Sequence, residues 1–582
     1  VKYDIKIDVS RDALFDELGL KRLKESYMLP SEVSPQERYA FVSSKFASDQ
    51  DHAQRLYDYS SSHWLSYSTP ILSYGRSKKG LPISCFLNSM EDTTEGLINT
   101  MSETAWLSVT GGGVGTYVGI RSSDDKSVGV MPHLKVYDFH CLAYKQGTTR
   151  RGSYASYLDI NHPDILQFIE MRKPTGDQNV RCTNLHHGIN ITDDFMKIIE
   201  NCMRDPDFDD SWSLHDPASS VVVNTVSAKY LWQMILETRM QTGEPYLHFI
   251  DTANAALPVW LKDKGLKIKN SNLCAEIELP VSSTRTAVCC LSSLNMDYYD
   301  AWKDDSQFIK DVAEMLDNVL DVFCEDAGEP LWKAVNSAKH ERSIGVGVLG
   351  FHSYLQSKGI PFESPMAFGI NLNSFKLIND KLKQASKALA EERGEAPDAV
   401  GYGHRFSHTM AVAPTASSSI IMGNTSPSIE PYRANGYRQD TLSGSYFQKN
   451  KHLDKLLKSK LSDEEYATAW ATITTDNGSA QSLTCLSDWE KDVFKTAMEI
   501  DQAYIIEMAA ARAQLIDQGQ SVNLFFMPNT SIAELHKAHF SAWKKGLKSL
   551  YYCRSDKIKK GDKISQKVER VKLDEECIAC GS

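Results

Sequence analysis

No run of apolar residues in this chain is long enough to span a bilayer, so a membrane-spanning helix is excluded. The N-terminus, Val1-Lys2-Tyr3-Asp4-Ile5-Lys6, lacks the apolar segment of a secretory signal. Basic residues are in deficit: 64 Lys and Arg stand against 75 Asp and Glu, a formal net charge of −11. That balance argues against nucleic acid as a partner and leaves room only for a local phosphate site. Cysteine is sparse, 12 in 582 residues with no dense framework. A small secreted disulfide scaffold is therefore excluded, and free thiols in a reducing compartment fit better. The expected location is the cytoplasm, that of the host if the source is viral. Internal repeats and low-complexity tracts are also missing.

What is there is a large apolar share, 42% of residues. The length suits three or four domains, or one large barrel with appendages. Residues 11 to 60 read as helices. Arg11 to Leu18 forms a first run that Gly19 is expected to stop, and Pro35 opens a second with Tyr39, Phe41, Val42 and Phe46 as its apolar positions. Beyond residue 66, short apolar runs (Val114 to Ile120, Gly188 to Ile191, Ile344 to Leu349, Val522 to Met527) alternate with amphipathic stretches (Phe195 to Cys202, Ala228 to Met240, Phe308 to Cys324). Such alternation over hundreds of residues predicts an α/β fold. From Arg554 onward the composition changes. Lys557, Lys559, Lys560, Lys563 and Lys567 crowd a stretch with few large apolar residues, which predicts a flexible arm.

Several segments could carry chemistry. Ser271-Asn272-Leu273-Cys274-Ala275-Glu276 places an amide, a thiol and a carboxylate two residues apart. If the segment is extended, all three side chains point one way. An amide can fix a hydroxyl, a carboxylate can act as a base, and a thiol can give up a hydrogen atom. The same spacing also fits an ordinary strand with a core cysteine. Val288-Cys289-Cys290-Leu291 reads as a barrel strand with one thiol on each face, or simply as two packed thiols. Leu81 to Asn88, containing Ser84 and Cys85, reads as a strand with a polar end. Pro414-Thr415-Ala416-Ser417-Ser418-Ser419 follows the apolar Met410 to Ala413 and could offer hydroxyls and backbone N–H groups to phosphate, or serve as a helix cap. It is not a P-loop, having neither the glycines nor the lysine. Gln146-Gly147-Thr148-Thr149-Arg150-Arg151 suits an anion or a base, or is a solvated basic loop. Tyr551-Tyr552 in a strand usually means one ring in and one out. The chain closes on Cys577-Ile578-Ala579-Cys580-Gly581-Ser582, a dithiol at the end of the charged arm.

Taken in order, these segments resemble the large, catalytic subunit of class I ribonucleotide reductase. The resemblance is carried by Cys85, Asn272-x-Cys274-x-Glu276, Cys289, Pro414 to Ser418, Tyr551-Tyr552 and Cys577-x-x-Cys580. Ser68-Thr69-Pro70, Gly111-Gly112-Gly113-Val114-Gly115 and Asn424 to Arg433 agree with it.

The resemblance implies a ten-stranded α/β barrel with a central finger loop carrying Cys274. It implies three regions: a helical region at 1–65, the barrel with catalytic and specificity sites at 66–553, and a redox tail at 554–582. The implied reaction is reduction of ribonucleotides, as diphosphates, to 2′-deoxyribonucleotides. Cys274 would be the transient thiyl radical, Glu276 the base and Asn272 the holder of the ribose hydroxyls. Cys85 and Cys289 would supply two electrons and close a disulfide, which requires their Cα atoms within about 7 Å. Cys289 rather than Cys290 follows from the family's Cys-x-Leu-Ser/Ala pattern. Tyr551 and Tyr552 would relay the radical, and Cys577 and Cys580 would recharge the pair by thiol exchange. Thr69, Ser84, Thr415, Ala416, Ser417, Ser418 and Ser419 would bind substrate. Asp92 and Arg121 match an effector site, and Gln146, Arg150 and Arg151 match the loop joining it to the substrate base.

No cofactor or metal is implied in this chain itself. The radical would come from the dimetal cofactor of a separate small subunit, with deoxynucleoside triphosphates or ATP as effectors. The other implied partners are thioredoxin or glutaredoxin and a second copy of the chain. With 68 residues before Thr69, no N-terminal ATP cone is expected. The adenosylcobalamin-dependent class shares the barrel and Cys274 but needs no tyrosine relay, so Tyr551-Tyr552 favours class I. A thioredoxin-like reading fails because its Cys-x-x-Cys belongs where a strand meets a helix.

Overall fold

The structure is a computed structural model that describes residues 2–145, 152–441 and 444–555. Helices come first: Glu17–Ser26, Pro35–Lys45 and Gln50–Ser61 follow a short 3-10 turn at Val9–Leu14. Asp16, Ser34 and Asp49 cap them, their side chains accepting from the backbone N–H of Gly19, Gln36 and His52. Gly19 is thus not the stop that the sequence suggests. It lies in the first turn of the next helix, bonded to its cap. A Cβ there would sit 3.2 Å from the carbonyl oxygen of Ile420, so a close helix contact explains the glycine. Asp311 ties this region to the rest, accepting from Arg55 Nε at 2.7 Å and from the Tyr59 hydroxyl at 2.8 Å.

Strand and helix then alternate. The strands are β1 (Leu65–Tyr67), β2 (Cys85–Ser89), β3 (Gly113–Tyr117), β4 (Tyr154–Asp159), β5 (His186–Ile191), β6 (Ser211–His215), β7 (Val222–Ser227) and β8 (Tyr246–Phe249). There follow β9 (Ala287–Asn295), β10 (Ile344–Leu349), β11 (Gly436–Thr441), β12 (Gly444–Lys449), β13 (Leu524–Phe526), β14 (Ser549–Leu550) and β15 (Cys553–Ser555). The four apolar runs picked out in the sequence fall on β3, β5, β10 and β13. The three amphipathic stretches fall on helices Asp193–Arg204, Ala228–Thr242 and Phe308–Asp326.

The main sheet runs β10-β9-β2-β3-β4-β5-β8-β14, with β1 as a side branch on β9. Its centre is parallel from β2 to β8, whereas β9 and β14 join antiparallel. Two further extended segments close the ring. Met410 bridges Val346 of β10, Val412 bridges Gln520, and Tyr551 N donates to Val522 O just after β14. Eight strands plus the segments around 410–412 and 518–522 give the ten staves of an α/β barrel. These two staves pair through isolated bridges rather than full ladders. Every residue of β9 and β10 is buried, as befits strands covered on both faces.

One apolar cluster lies between the sheet and its surrounding helices. A second fills the barrel interior and includes Cys85, Tyr157, Tyr246, Cys274, Cys289, Tyr551 and Tyr552. The finger loop reaches that interior past β3. A Cβ on Gly115 would lie 2.4 Å from Ser271 O and 2.8 Å from Asn272 Cα, so only glycine lets the loop's backbone pass. Among the described residues, no helix is long and apolar enough to cross a membrane.

Candidate active site

The thiols of β2 and β9 are brought together by register. Cys85 and Cys289 are direct partners across the antiparallel pair. Such partners have Cα atoms about 4.5–5.5 Å apart, inside the range that a disulfide spans. Both are buried. Cys290 points the other way, donating to Leu316 O at 3.5 Å in the helix behind the sheet. Burial, with the neighbouring Cys290, pushes the Cys289 thiol well above its ordinary range. One polar group opposes that: the Gln518 amide donates to Cys289 Sγ at 3.4 Å.

The finger loop differs from the extended segment that the sequence suggests. Residues 271 to 276 form no strand, and Ala275 has φ +62°. The Asn272 side-chain oxygen turns onto the loop's own backbone, accepting from Glu276 N at 3.0 Å and Ile277 N at 3.2 Å. Asn272, Cys274 and Glu276 therefore meet through a tight turn, not through the alternation of a pleat. The loop is pinned from outside. The Tyr157 hydroxyl donates to Asn272 O at 2.5 Å, Ser521 Oγ to Cys274 O at 2.6 Å, and Ser549 Oγ to Ala275 O at 2.6 Å. Ser521 Oγ also lies 3.3 Å from Glu276 Oε2.

Above the loop sit the tyrosines. The Tyr551 hydroxyl donates to Cys274 Sγ at 3.6 Å. The Tyr551 and Tyr552 rings are 4.2 Å apart by centroids, tilted by 46°. Both are buried, so the one-in, one-out expectation fails. The chain turns at this pair, between β14 on β8 and β15 on β13, and a turning backbone does not alternate its side chains.

A third phenol, Tyr246, packs 4.9 Å from Tyr551 and 5.3 Å from Tyr552. Its hydroxyl donates to Glu244 Oε1 at 3.2 Å. Burial opposes ionisation of Glu244, yet Arg172 and His186 hold its carboxyl well below the usual carboxylate range. Burial, reinforced by that carboxylate, raises the phenols of Tyr246 and Tyr552, which keeps them protonated. Arg554 lies over the Tyr552 ring at 4.1 Å.

The remaining expected residues scatter around this centre. Thr69 opens the short helix Thr69–Leu72, its Oγ1 3.3 Å from the Tyr27 hydroxyl. Ser84 is buried at the foot of β2, its carbonyl accepting from Gly113 N. Thr415 flanks the helix Ala416–Ile421, which holds Ala416, Ser417, Ser418 and Ser419; Thr415 Oγ1 accepts from Ser428 N at 2.7 Å. Asp92 and Arg121 are paired with each other, Nε to Oδ2 at 2.9 Å. Gln146, Arg150, Arg151, Cys577 and Cys580 lie outside the described residues.

Sequence reading missed Tyr246, Glu244, Tyr157, Gln518 and Ser521. Each acts on the centre from a distant part of the chain. The only local signal is the polar run Gln518-Gly519-Gln520-Ser521 between apolar segments.

Comparison with known proteins agrees with this geometry. The family model for the ribonucleotide reductase barrel domain matches residues 83–399 and 395–553, and that for the ribonucleotide reductase all-alpha domain matches 13–80. The chain is 49% identical to the ribonucleoside-diphosphate reductase large subunit of Invertebrate iridescent virus 3, over 99% of this chain and 100% of that one. It is 46% identical to the putative large subunit of Frog virus 3 (isolate Goorha), over 93% and 95%. A solved structure, the class Id ribonucleotide reductase alpha subunit of Actinobacillus ureae, superposes with TM-score 0.82 at 34% identity, covering 95% of this chain and 98% of that one. Helical region and barrel are both matched, and the likeness extends through the thiol and tyrosine segments: this chain belongs to the ribonucleotide reductase large-subunit family.

Proposed function

We propose that the chain is the catalytic subunit of a class I ribonucleoside-diphosphate reductase, making 2′-deoxyribonucleotides for DNA synthesis. The observation that carries this is the contact of the Tyr551 hydroxyl with Cys274 Sγ at 3.6 Å, inside the same buried cluster as the Cys85–Cys289 pair. A phenol and a thiol in contact can exchange one hydrogen atom, moving electron and proton together. That matters in a site where burial penalises every charged intermediate. The adjoining, tilted rings of Tyr552 and Tyr551 then form a path to Cys274. The cobalamin-dependent reading has no use for such a path.

In the proposed cycle Cys274, as thiyl radical, takes hydrogen from C3′ of the ribose. S–H and activated C–H bonds are of similar strength, so the step is nearly thermoneutral and reversible. Glu276 removes the 3′-OH proton, and Asn272 contributes to holding the hydroxyls. The 2′-OH leaves as water while Cys85 and Cys289 together give up two electrons and two protons and form one disulfide. Glu276 then returns its proton to the 3′ oxygen, and hydrogen returns from Cys274 to C3′. Thr69 and residues 415–419 hold the phosphates, and Ser84 also binds the substrate. Cys577 and Cys580 reduce the disulfide and pass oxidation to thioredoxin or glutaredoxin. A separate small subunit with a dimetal cofactor supplies the radical. Deoxynucleoside triphosphate or ATP effectors act through Asp92, Arg121, Gln146, Arg150 and Arg151 at the interface of a homodimer.

The deciding experiment is reduction of a ribonucleoside diphosphate with and without a candidate small subunit. Turnover only with both chains supports the proposal. Turnover by this chain alone with adenosylcobalamin overturns it.

A further inference from the structure

Gln518 bonds at once to the finger loop's return arm, to β9 and to β10. Its Oε1 accepts from Glu278 N at 3.1 Å. Its Nε2 donates to Ile344 O at 3.2 Å and to Cys289 Sγ at 3.4 Å. This settles which way the amide points, because flipping it would set an N–H against an N–H and an oxygen against a carbonyl. Its own backbone is fixed as well. Gln518 N donates to Met410 O at 3.1 Å, and Gln518 O accepts from Lys548 Nζ at 2.5 Å. Lys548 Nζ also binds Asp517 O at 3.1 Å and Ile516 O at 3.3 Å, so a buried ammonium clamps the turn that presents Gln518. The glycine of β10 also comes close to the sulfur: a Cβ on Gly345 would lie 2.9 Å from Cys289 Sγ.

A donor on a sulfur matters most when that sulfur carries negative charge. In thiol–disulfide exchange the leaving sulfur departs as thiolate, and the more stable thiolate leaves faster. Burial makes a thiolate at Cys289 costly, so a fixed N–H is the means of making it accessible.

We propose that Gln518 is a positioning residue that makes Cys289 the leaving sulfur when the Cys85–Cys289 disulfide is reduced, so that the incoming thiolate attacks Cys85. This rests on the proposed function, in which that disulfide forms on turnover. The thiolate of a dithiol bonds to Cys85 Sγ, the Cys85–Cys289 bond breaks, and its electron pair leaves on Cys289, stabilised by the Gln518 N–H. The second thiol of the reductant then loses its proton and attacks its partner sulfur. Cys85 is released, and the reductant departs as a disulfide. Both site cysteines end as thiols after uptake of two protons, and two electrons have passed from the dithiol.

The test uses the full chain with Cys577→Ser and Cys580→Ser, so that only an added thiol reduces the pair. The protein is oxidised by turnover, treated with 2-mercaptoethanol, quenched with an alkylating agent and mapped by peptide mass spectrometry. Gln518→Met keeps the volume and removes the amide. Gln518→Glu keeps the acceptor for Glu278 N and replaces the donor. A hydrogen bond to a charged group is worth about tenfold or more in such a step. In both variants we expect reduction slowed by about tenfold or more, the mixed disulfide shifted from Cys85 towards Cys289, and alkylation of reduced Cys289 moved to higher pH. A purely structural Gln518 would lower the melting temperature without moving either the site of attack or that pH profile. Mixed disulfide mainly on Cys289 in the parent, or the same site and pH profile in parent and both variants, overturns the proposal. Absence of any Cys85–Cys289 disulfide after turnover is a distinct result, which overturns the reading of the pair itself.

Discussion

Replacing Tyr551 with Phe separates a relay from a packed ring. Nearly everything that holds Tyr551 in place survives the change. Its ring still meets Tyr552 and Tyr246 at 4.2 and 4.9 Å. Its backbone still donates to Val522 O and accepts from Arg239 Nη1 at 2.9 Å. The variant loses the hydroxyl and its 3.6 Å contact with Cys274 Sγ. A neutral hydrogen bond contributes about 1 kcal/mol, and one this long to sulfur contributes less, so folding stability should fall by about 1 kcal/mol at most. If packing were the whole role, turnover would drop by no more than about tenfold, since a decade in rate corresponds to about 1.4 kcal/mol. A relay demands far more. Phe has no exchangeable proton, so Tyr552 would have to act on Cys274 across an intervening ring. The expected loss is at least about a thousandfold, equivalent to roughly 4 kcal/mol of barrier. The assay is ribonucleoside diphosphate reduction with small subunit in excess, beside thermal denaturation and substrate binding on the same preparation. Turnover within about tenfold of the parent, with melting and binding unchanged, would refute the relay.

Four further outcomes are expected. Changing Cys577 and Cys580 to Ser should let the enzyme complete limited turnover and then stall with thioredoxin, and a small dithiol should restore cycling; full rates with thioredoxin would remove the tail from the cycle. Gly115→Ala should lose turnover and about 1–3 kcal/mol of stability, because its Cβ would meet Ser271 O at 2.4 Å. Gly369→Ala, in the second turn of the helix Pro365–Arg393 with nothing beyond the helix's own backbone within 4 Å of its Cβ, should be neutral or stabilising by roughly 0.5–1 kcal/mol in the same melts. Burial, against partial relief from Arg285, raises the carboxyl of Glu341 to about 8 from the ordinary 4.5. Between those values the folded chain keeps a proton that the unfolded chain has lost, so this group makes stability fall as pH rises to about 8 and then level off. Glu341→Gln should flatten that decline in denaturant titrations across the window, and an unchanged slope would count against the buried, protonated state.

Much of the chemistry was legible in the residues themselves, because thiols, phenols and a terminal dithiol are scarce groups and their order along the chain is specific. The strands at 113–117, 186–191 and 344–349 were legible too, since runs of buried apolar residues carry their own pattern. Direction was not. That Cys289 faces Cys85 while Cys290 faces a helix depends on the β2–β9 register. That Asn272 caps its own loop depends on a left-handed turn at Ala275. That both Tyr551 and Tyr552 point inward depends on where the chain turns between two strand pairings. Gln518 reaches Cys289, and Tyr246 reaches Tyr551, across hundreds of residues. A local sequence pattern fixes which groups are present and what each can do. Which of them touch is a property of closing ten staves into one ring, because the direction of a side chain follows from the backbone beneath it, and that backbone is set by partners far away in the chain.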